Sequence, residues 1–113
     1  MTPILQAEAS ECGLACLAMI ASANGNHIGL QGLRTRFPVS LKGLTLEQLI
    51  SYAEILGFNT RPLRLELEHL PQLQTPCILH WDMNHFVVLK SVSGASVEIV
   101  DPAIGSRRLS IAS

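Results

Sequence analysis

The feature of this sequence that most constrains its fold is an unbroken, mainly apolar stretch over residues 11–20, ECGLACLAMI. Continuous hydrophobicity of this length predicts a helix that is buried on all sides. Cys12 lies at the first turn of that helix, where unpaired backbone N–H groups and the helix dipole favour a thiolate. The thiolate is the nucleophilic form of cysteine. Most buried cysteines are small core side chains, however, so this stretch alone leaves both interpretations of Cys12 open.

Helical signals fill the first half of the chain. A capping box, in which Gln48 follows Thr45 by three residues, precedes leucine and isoleucine residues at helical spacing. We predict two or three helices: one from Ser10 or Glu11 to about Ser22, a short one over 32–37, and one from Thr45 that ends at Gly57.

The second half changes to the alternation and β-branched composition of strands. The predicted strands cover 58–65, 77–81, 85–89, 97–101 and 107–111, with one helical turn over 66–70. Pro62 restricts the first of these strands to a sheet edge or a bulge. Helices followed by an antiparallel sheet constitute an α+β fold. A length of 113 residues predicts a single domain over 1–113.

The composition excludes several classes of protein. The chain is 48% hydrophobic and 15% charged, with a net charge of -1, which excludes a disordered chain and offers no basic surface for nucleic acid. We interpret the basic residues Arg34, Arg36 and Lys42 as solvated surface. The longest apolar stretch, over 13–23, is too short to span a bilayer and has no basic leader before it. Three cysteines fit a reducing compartment, so we expect a cytoplasmic chain.

His85 and Asp101 stand at the ends of two predicted strands. If these strands form a hairpin near Gly94, both residues reach the same end, and they share a face only if the loop has an odd number of residues. A three-residue loop over 93–95 would pair Val87 with Asp101 and leave His85 one diagonal step away. We expect this face to approach the first turn of the Cys12 helix. Individually, each residue is also compatible with an ordinary strand end.

A thiol, an imidazole and a carboxylate are the parts of a cysteine hydrolase. His85 would take the thiol proton and later give a proton to the leaving amine, while Asp101 would orient the imidazole. The backbone N–H of Cys12 and the side-chain amide of Gln6 could bind the oxyanion. Cys16 and Cys77 are interpreted as core residues.

Four motifs resemble one known family, the bacteriocin-processing peptidase domain at the N-terminus of peptidase-containing ABC transporters. Gln6-x5-Cys12 is similar to the opening motif of that domain, and the run HFVVL over 85–89 is similar to its histidine motif. Asp101-Pro102 resembles the aspartate motif, sixteen residues after the histidine. The run over 75–81 resembles the colicin V exporter branch in particular. The resemblance covers nearly the whole chain.

This resemblance implies a papain-like fold and a cysteine endopeptidase that cuts a peptide precursor after a leader ending in Gly-Gly or Gly-Ala. It assigns Cys12 as nucleophile, His85 as base, Asp101 as orienting acid and Gln6 as oxyanion donor, with no metal or cofactor. Such leaders bind as an amphipathic helix in an apolar groove. Met19 and Phe58 are candidates for that groove, and either can instead belong to the core. A two-glycine end fits a narrow cleft beside Cys12.

The resemblance also implies partners: the transmembrane and nucleotide-binding domains of an ABC transporter, at the inner face of the bacterial cell membrane. The sequence departs from such transporters, because it has no transmembrane segment and no nucleotide-binding loop. We therefore expect an excised domain or a separate peptidase. Family domains usually continue into a further strand, so we expect a sheet that lacks its last strand and exposes an edge.

Two other interpretations fit the same residues. One is a non-catalytic domain that only docks leader peptides. The other is a zinc site formed by Cys12, Cys16, His80 and His85. Asp82 could also bind a cation near the active site, although it is a single carboxylate in a predicted turn.

Overall fold

The computed structural model describes residues 1–64, 66–81 and 85–111, and these form helices first and strands second. The α-helices are α1 (Cys12–Ala23), α2 (Gly29–Arg36) and α3 (Leu46–Ile55), and short 3-10 helices cover Ala9–Glu11 and Leu67–Gln72. The strands are β1 (Cys77–Trp81), β2 (His85–Ser93), β3 (Ser96–Asp101) and β4 (Gly105–Ser110). They form one antiparallel sheet in the order β1-β2-β3-β4. The predicted α+β arrangement is confirmed.

The first helix is the buried helix that the apolar stretch predicted. Ala15, Cys16 and Ala18 are fully buried, and the helix packs against α2 and α3 on one side and the sheet on the other. It ends at Asn24, whose N–H donates to the carbonyl of Ala21 (3.1 Å), and Gly25 follows with a φ of +90°. Glycine adopts this left-handed conformation without steric cost, so the helix ends within one residue of its predicted limit.

The capping box predicted for the third helix is present. The N–H of Gln48 donates to Oγ1 of Thr45 (3.1 Å), and the N–H of Thr45 donates to Oε1 of Gln48 (3.0 Å). The second helix begins at Gly29, three residues before the predicted start, so Gly32 lies inside the helix rather than at its beginning. A Cβ atom on Gly32 would lie 2.6 Å from Cγ1 of Ile28, so only glycine fits there without movement of Ile28.

The strand predicted over 58–65 is wrong for 58–64, and Leu65 lies outside the described residues. The N–H of Phe58 donates to the carbonyl of Ala53 (3.1 Å) and so closes the end of α3. Pro62 has no N–H to offer to a strand ladder, and residues 58–64 form no strand. The helical turn predicted over 66–70 is the 3-10 helix Leu67–Gln72.

The hairpin between β2 and β3 reaches the predicted register by a different route. Its loop has two residues, because Ser93 pairs with Ser96, so the predicted three-residue loop is wrong. A β-bulge at Lys90 then adds one residue to β2, and beyond it Val88 pairs with Val100. This is the register that a three-residue loop would have produced. One extra residue in the strand and one extra residue in the loop have the same effect: each shifts by one position which residues of β2 and β3 lie opposite each other at the far end of the hairpin.

The sheet separates two groups of buried side chains. Those facing α1 are Phe86, Val88 and Val100, and those on the opposite face are Val87, Leu89, Val97 and Ile99. Because side chains alternate along a strand, His85 and Asp101 belong to the register of the second group. The approach of this pair to the first turn of α1 does not follow from the pleat alone. It depends on their place at the strand ends and stays a prediction.

Candidate active site

His85 and Asp101 are in direct contact. Nε2 of His85 lies 2.7 Å from Oδ1 of Asp101, and the two side chains are 28% and 11% exposed. The same Oδ1 accepts a hydrogen bond from the N–H of Ala103 (2.9 Å), so the turn after β3 fixes the carboxylate. With Nε2 engaged, Nδ1 is the ring nitrogen left to exchange a proton. The pair therefore has the geometry of an imidazole oriented by a carboxylate.

Cys12 is the first residue of α1 and so lies in its first turn, as predicted, although the helix begins one or two residues later than expected; Cys12 is 6% exposed. The first turn of the helix packs closely on the start of β2. A Cβ atom on Gly13 would lie 3.3 Å from Cδ2 of Phe86 and 3.1 Å from Cδ1 of Leu44. Phe86 follows His85 in the chain, so the absence of a side chain at Gly13 lets the residue after Cys12 approach the residue after His85.

Asp101 lies within electrostatic range of the same helix. Burial raises the pKa of the Cys16 thiol well above its ordinary value of 9.0, and the charges of Cys12 and Asp101 raise it further. Cys16 is one helical turn after Cys12. The strand end that carries Asp101 is thus close to the first turns of α1, and Cys16 itself stays a neutral thiol.

Gln6 reaches this region through its backbone. Its N–H donates to the carbonyl of Pro102, the residue after Asp101 (2.9 Å). Its side-chain Nε2 donates to the carbonyls of Glu8 (3.1 Å) and Ala9 (3.3 Å), while Oε1 is buried without a hydrogen-bond partner. A half-turn about the last side-chain bond would exchange these two atoms, and that bond rotates easily. Its role as an oxyanion donor stays a prediction.

A partly buried ion pair next to Cys12 has no counterpart among the sequence predictions. Glu11 is 5% exposed, and its carboxylate accepts hydrogen bonds from both Nε and Nη2 of Arg34, the latter at 2.9 Å. Arg34 had been interpreted as solvated surface, and its side chain is indeed 38% exposed. The pair joins residues 23 positions apart, and no periodicity in a sequence indicates such a contact.

The guanidinium of Arg34 is the main reason that the pKa of Glu11 falls from its ordinary value of 4.5 to about 2. Hydrogen bonds from the N–H groups of Glu8 and Ala7 lower this pKa further, against the effect of burial. A carboxyl group whose pKa falls on folding stabilises the folded chain fully above its ordinary pKa. Glu11 therefore contributes its full stabilisation above about pH 4.5 and loses it as the pH falls toward about 2.

A mainly apolar cavity of about 720 Å³ lies between α1, α3 and β1, and the segments 58–63 and 72–76 complete its lining. Its apolar walls include Leu17, Ile20, Leu49, Ala53, Phe58 and Phe86. Phe58 lines this cavity, and its part in binding a leader stays a prediction. Met19 is fully buried in the core, so it has no free surface with which to contact a ligand and its assignment to the groove is wrong. Because Phe86 also packs on Gly13, the cavity extends toward the Cys12 end of α1.

The zinc interpretation finds no support in the structure. His80 stacks on the ring of Phe86 at 4.5 Å between centroids, and His85 bonds to Asp101. Over the part of the chain that the structure describes, no three His, Cys, Asp or Glu residues are grouped so that they could hold a metal ion. Asp82 and the turn predicted around it, over 82–84, lie outside the described residues.

Replacement of Cys16 by serine is expected to leave cleavage within a few-fold of wild type and to lower the free energy of unfolding by about 1–3 kcal/mol. The hydroxyl would enter a fully buried position among apolar side chains without an assured partner. Denaturant unfolding and a cleavage assay measure the two effects. Cys77→Ser, at a half-buried position, is the matched control and should lose less stability. A Cys16→Ser variant that folds but does not cleave would show that the nucleophile has been misassigned.

Comparison with known proteins gives consistent results. The model of the Peptidase C39 family matches residues 1–113. The chain is 52% identical over 107 residues to the colicin V secretion/processing ATP-binding protein CvaB of Escherichia coli, covering 95% of this chain and 15% of CvaB. It is 51% identical over 106 residues to the probable microcin-H47 secretion/processing ATP-binding protein MchF of Escherichia coli, covering 94% of this chain and 15% of MchF. The chain therefore spans about 15% of the length of these relatives.

Two solved structures share the fold. A double glycine motif protease from an AMS/PCAT transporter, in complex with the leader peptide, superposes with a TM-score of 0.88 at 35% identity, over 99% of this chain and 81% of that one. The peptidase domain of Streptococcus ComA, a bi-functional ABC transporter of a quorum sensing pathway, has a TM-score of 0.84 at 26% identity, over 96% of this chain and 85% of that one. In the described ranges, no helix is both long and apolar enough to cross a membrane.

Proposed function

The chain belongs to the Peptidase C39 family of cysteine peptidases, and on that premise we propose that Cys12, His85 and Asp101 are its catalytic residues. The observation that supports this assignment best is the 2.7 Å contact between His85 and Asp101 at a strand end close to the helix that begins at Cys12. A domain that only docks leader peptides has no need of an imidazole held by a carboxylate. The proposed reaction is hydrolysis of the peptide bond after a double-glycine leader.

The proposed mechanism begins with transfer of the Cys12 thiol proton to Nδ1 of His85, which Asp101 stabilises as an imidazolium. The thiolate sulfur attacks the carbonyl carbon of the last leader residue, and the carbonyl oxygen becomes an oxyanion. The backbone N–H of Cys12 and Nε2 of Gln6 donate hydrogen bonds to that oxyanion. Collapse of the intermediate breaks the C–N bond, and His85 gives its proton to the leaving amine.

The acyl-enzyme formed in this way is a thioester between Cys12 and the leader. A water molecule then attacks the thioester carbonyl and gives a proton to Nδ1 of His85. Breakage of the C–S bond returns that proton to the Cys12 sulfur and releases the leader with a free carboxyl group. The enzyme returns to its starting state, with one water consumed for each peptide bond cut.

The proposed substrate is a peptide precursor whose leader binds as an amphipathic helix. The cavity between α1, α3 and β1 offers an apolar surface for such a helix, and Leu46 and Leu63 on its lining are 40% and 55% exposed. Exposed apolar residues of this kind are typical of a binding surface. The solved relative at 35% identity is described with a leader peptide bound. Small residues before the cut fit a narrow cleft at Cys12.

The relatives suggest the setting in which the domain works. CvaB and MchF are named as secretion/processing ATP-binding proteins. We therefore propose that this domain acts with the transmembrane and nucleotide-binding domains of an ABC transporter. Its place would be the inner face of the bacterial cell membrane, where it would remove the leader as the peptide is exported.

A synthetic precursor with an amphipathic leader ending in Gly-Gly tests the proposed function directly. Mass spectrometry should find two products that separate after the second glycine. The matched control is the same peptide with both glycines replaced by valine, which should bind but not be cut. Binding of the Gly-Gly precursor without cleavage would instead favour a docking domain.

Replacement of Gln6 by alanine is expected to lower kcat by about 10²–10³ with little change in KM, the usual loss for one oxyanion donor. Gln31→Ala, on the exposed side of α2, is the control for loss of a glutamine amide and should retain full activity. Steady-state kinetics with the Gly-Gly precursor measure both constants. A change confined to KM would identify Gln6 as a substrate-binding residue instead.

A further inference from the structure

The carboxylate of Glu11 organises the segment that precedes Cys12. Its Oε1 accepts hydrogen bonds from the backbone N–H groups of Ala7 (3.0 Å) and Glu8 (2.9 Å). These two residues directly follow Gln6 in the chain, and Glu11 directly precedes Cys12. A single buried carboxylate thus folds the lead-in segment back onto the start of α1.

Arg34 holds that carboxylate in place from a different helix. Both oxygens of Glu11 are engaged, Oε2 by Nε of Arg34 and Oε1 by Nη2 of Arg34 (2.9 Å). A two-point contact between a planar guanidinium and a carboxylate fixes orientation as well as distance. Arg34 lies in the last turn of α2, so the position of the lead-in segment is tied to the packing of α2 against α1.

The backbone at Gln6 is therefore held by three hydrogen bonds. The N–H of Gln6 donates to the carbonyl of Pro102, and the N–H groups of the next two residues donate to Glu11. A lead-in segment without these bonds would lose conformational entropy each time it adopted the catalytic position. A segment that these bonds hold has already lost that entropy on folding, so the loss does not add to the barrier of the reaction.

We propose that Glu11, held by Arg34, is a positioning residue that sets Gln6 beside Cys12 and so supports binding of the oxyanion. The proposal rests on the role proposed above for Gln6. Glu11 does not touch substrate in this role, and its effect on catalysis passes through Gln6 alone. Loss of Glu11 can then cost no more than loss of Gln6, and misplacement by about 1 Å typically costs up to about 10² in rate.

The test is a cycle of four proteins: wild type, Glu11→Gln, Gln6→Ala and the double variant. Glutamine keeps the shape of Glu11 but removes the charge that Arg34 binds. We expect Glu11→Gln to lower kcat about 10- to 100-fold with KM within twofold, and to have less than a twofold effect when Gln6 is already alanine. Alkylation of Cys12 by iodoacetamide needs no oxyanion donor, so its rate should stay within twofold in all four proteins.

Two further variants keep the test decisive. Arg36→Gln removes a positive charge from the same turn of α2 without touching Glu11 and should have normal kinetics. Arg34→Gln removes the guanidinium but keeps the hydrogen bonds from Ala7 and Glu8 to Glu11 possible. If Glu11→Gln does not fold at the assay temperature, Arg34→Gln takes its place in the cycle. We expect it to lower kcat in the wild-type background only.

The outcomes separate this proposal from the proposed function. If Glu11→Gln lowers kcat equally with and without Gln6, Glu11 acts on the fold or the thiol and the proposal fails while the role of Gln6 stands. An unchanged kcat for Glu11→Gln and Arg34→Gln also overturns it. If Gln6→Ala is fully active, both the proposal and the oxyanion role of Gln6 are wrong.

Discussion

Replacement of Cys12 by alanine is expected to abolish cleavage of a Gly-Gly precursor while the leader still binds. Removal of the nucleophile of a hydrolase lowers kcat by about 10⁴ or more, because the remaining groups cannot replace the covalent step. The lining of the apolar cavity does not include Cys12, so the affinity for the leader should change less than twofold. Mass spectrometry of the products and fluorescence anisotropy of a labelled leader measure the two quantities.

Cys16→Ser is the control for this experiment, since Cys16 lies one turn further along the same helix and does not line the cavity. Burial raises the pKa of its thiol well above the ordinary 9.0, which makes it a poor nucleophile at neutral pH. This variant should cleave within a few-fold of wild type. Turnover by Cys12→Ala within tenfold of wild type would contradict the assignment of the nucleophile.

The elements that the sequence predicts well are those with strong local signals. The apolar stretch that forms α1 and the reciprocal bonds between Thr45 and Gln48 need only nearby residues. The strands β1, β2 and β3 follow runs of β-branched side chains. Prediction failed over 58–64, where the N–H of Phe58 bonds to the carbonyl of Ala53 at the end of α3 and Pro62 has no N–H to offer to a neighbouring strand.

The hairpin illustrates a correct position reached through wrong reasoning. A three-residue loop and a two-residue loop followed by a bulge at Lys90 both bring Asp101 to the level of Val87. Lys90 is an ordinary strand residue with nothing in its side chain to indicate a bulge. The pairing at the far end of the hairpin could therefore be predicted, whereas the position of the extra residue, in the loop or in the strand, could not. Which face of the sheet packs on α1 is decided by the buried side chains of the core rather than by the loop.

Contacts between distant parts of the chain limited the prediction of the site. Gln6, Cys12, His85 and Asp101 were chosen by chemistry and by family resemblance. The bond from Gln6 to Pro102 and the ion pair of Glu11 with Arg34 join residues far apart in the sequence. Each depends on how the helices pack on one another and on the strand ends. Burial distinguishes Met19 from Phe58, and nothing in the sequence of either apolar residue indicates which of them belongs to the core.

Replacement of Asp101 by asparagine and by alanine separates the two functions of its carboxylate. Oδ1 of Asp101 accepts hydrogen bonds from both His85 and Ala103. The oxygen of asparagine can keep both bonds, so Asp101→Asn should preserve the fold and the ring orientation while it removes the charge. Alanine removes the charge and the bonds together. Glu98→Gln, which removes a carboxylate from the same strand at a pair with Lys90 (3.5 Å), is the control and should be fully active.

We expect kcat/KM to fall by about 10⁴ in Asp101→Ala, the loss typical of a hydrolase whose imidazole is no longer held by a carboxylate, and by less in Asp101→Asn. The imidazolium that His85 becomes on accepting the thiol proton lies 2.7 Å from this carboxylate. Without that charge the thiolate and imidazolium form less readily, so the rate of Asp101→Asn should reach its plateau at a higher pH than that of wild type. Rates across pH 5–9 on one precursor measure the shift. If both variants keep wild-type rates and an unchanged pH profile, Asp101 only ends the strand, and His85 works without it.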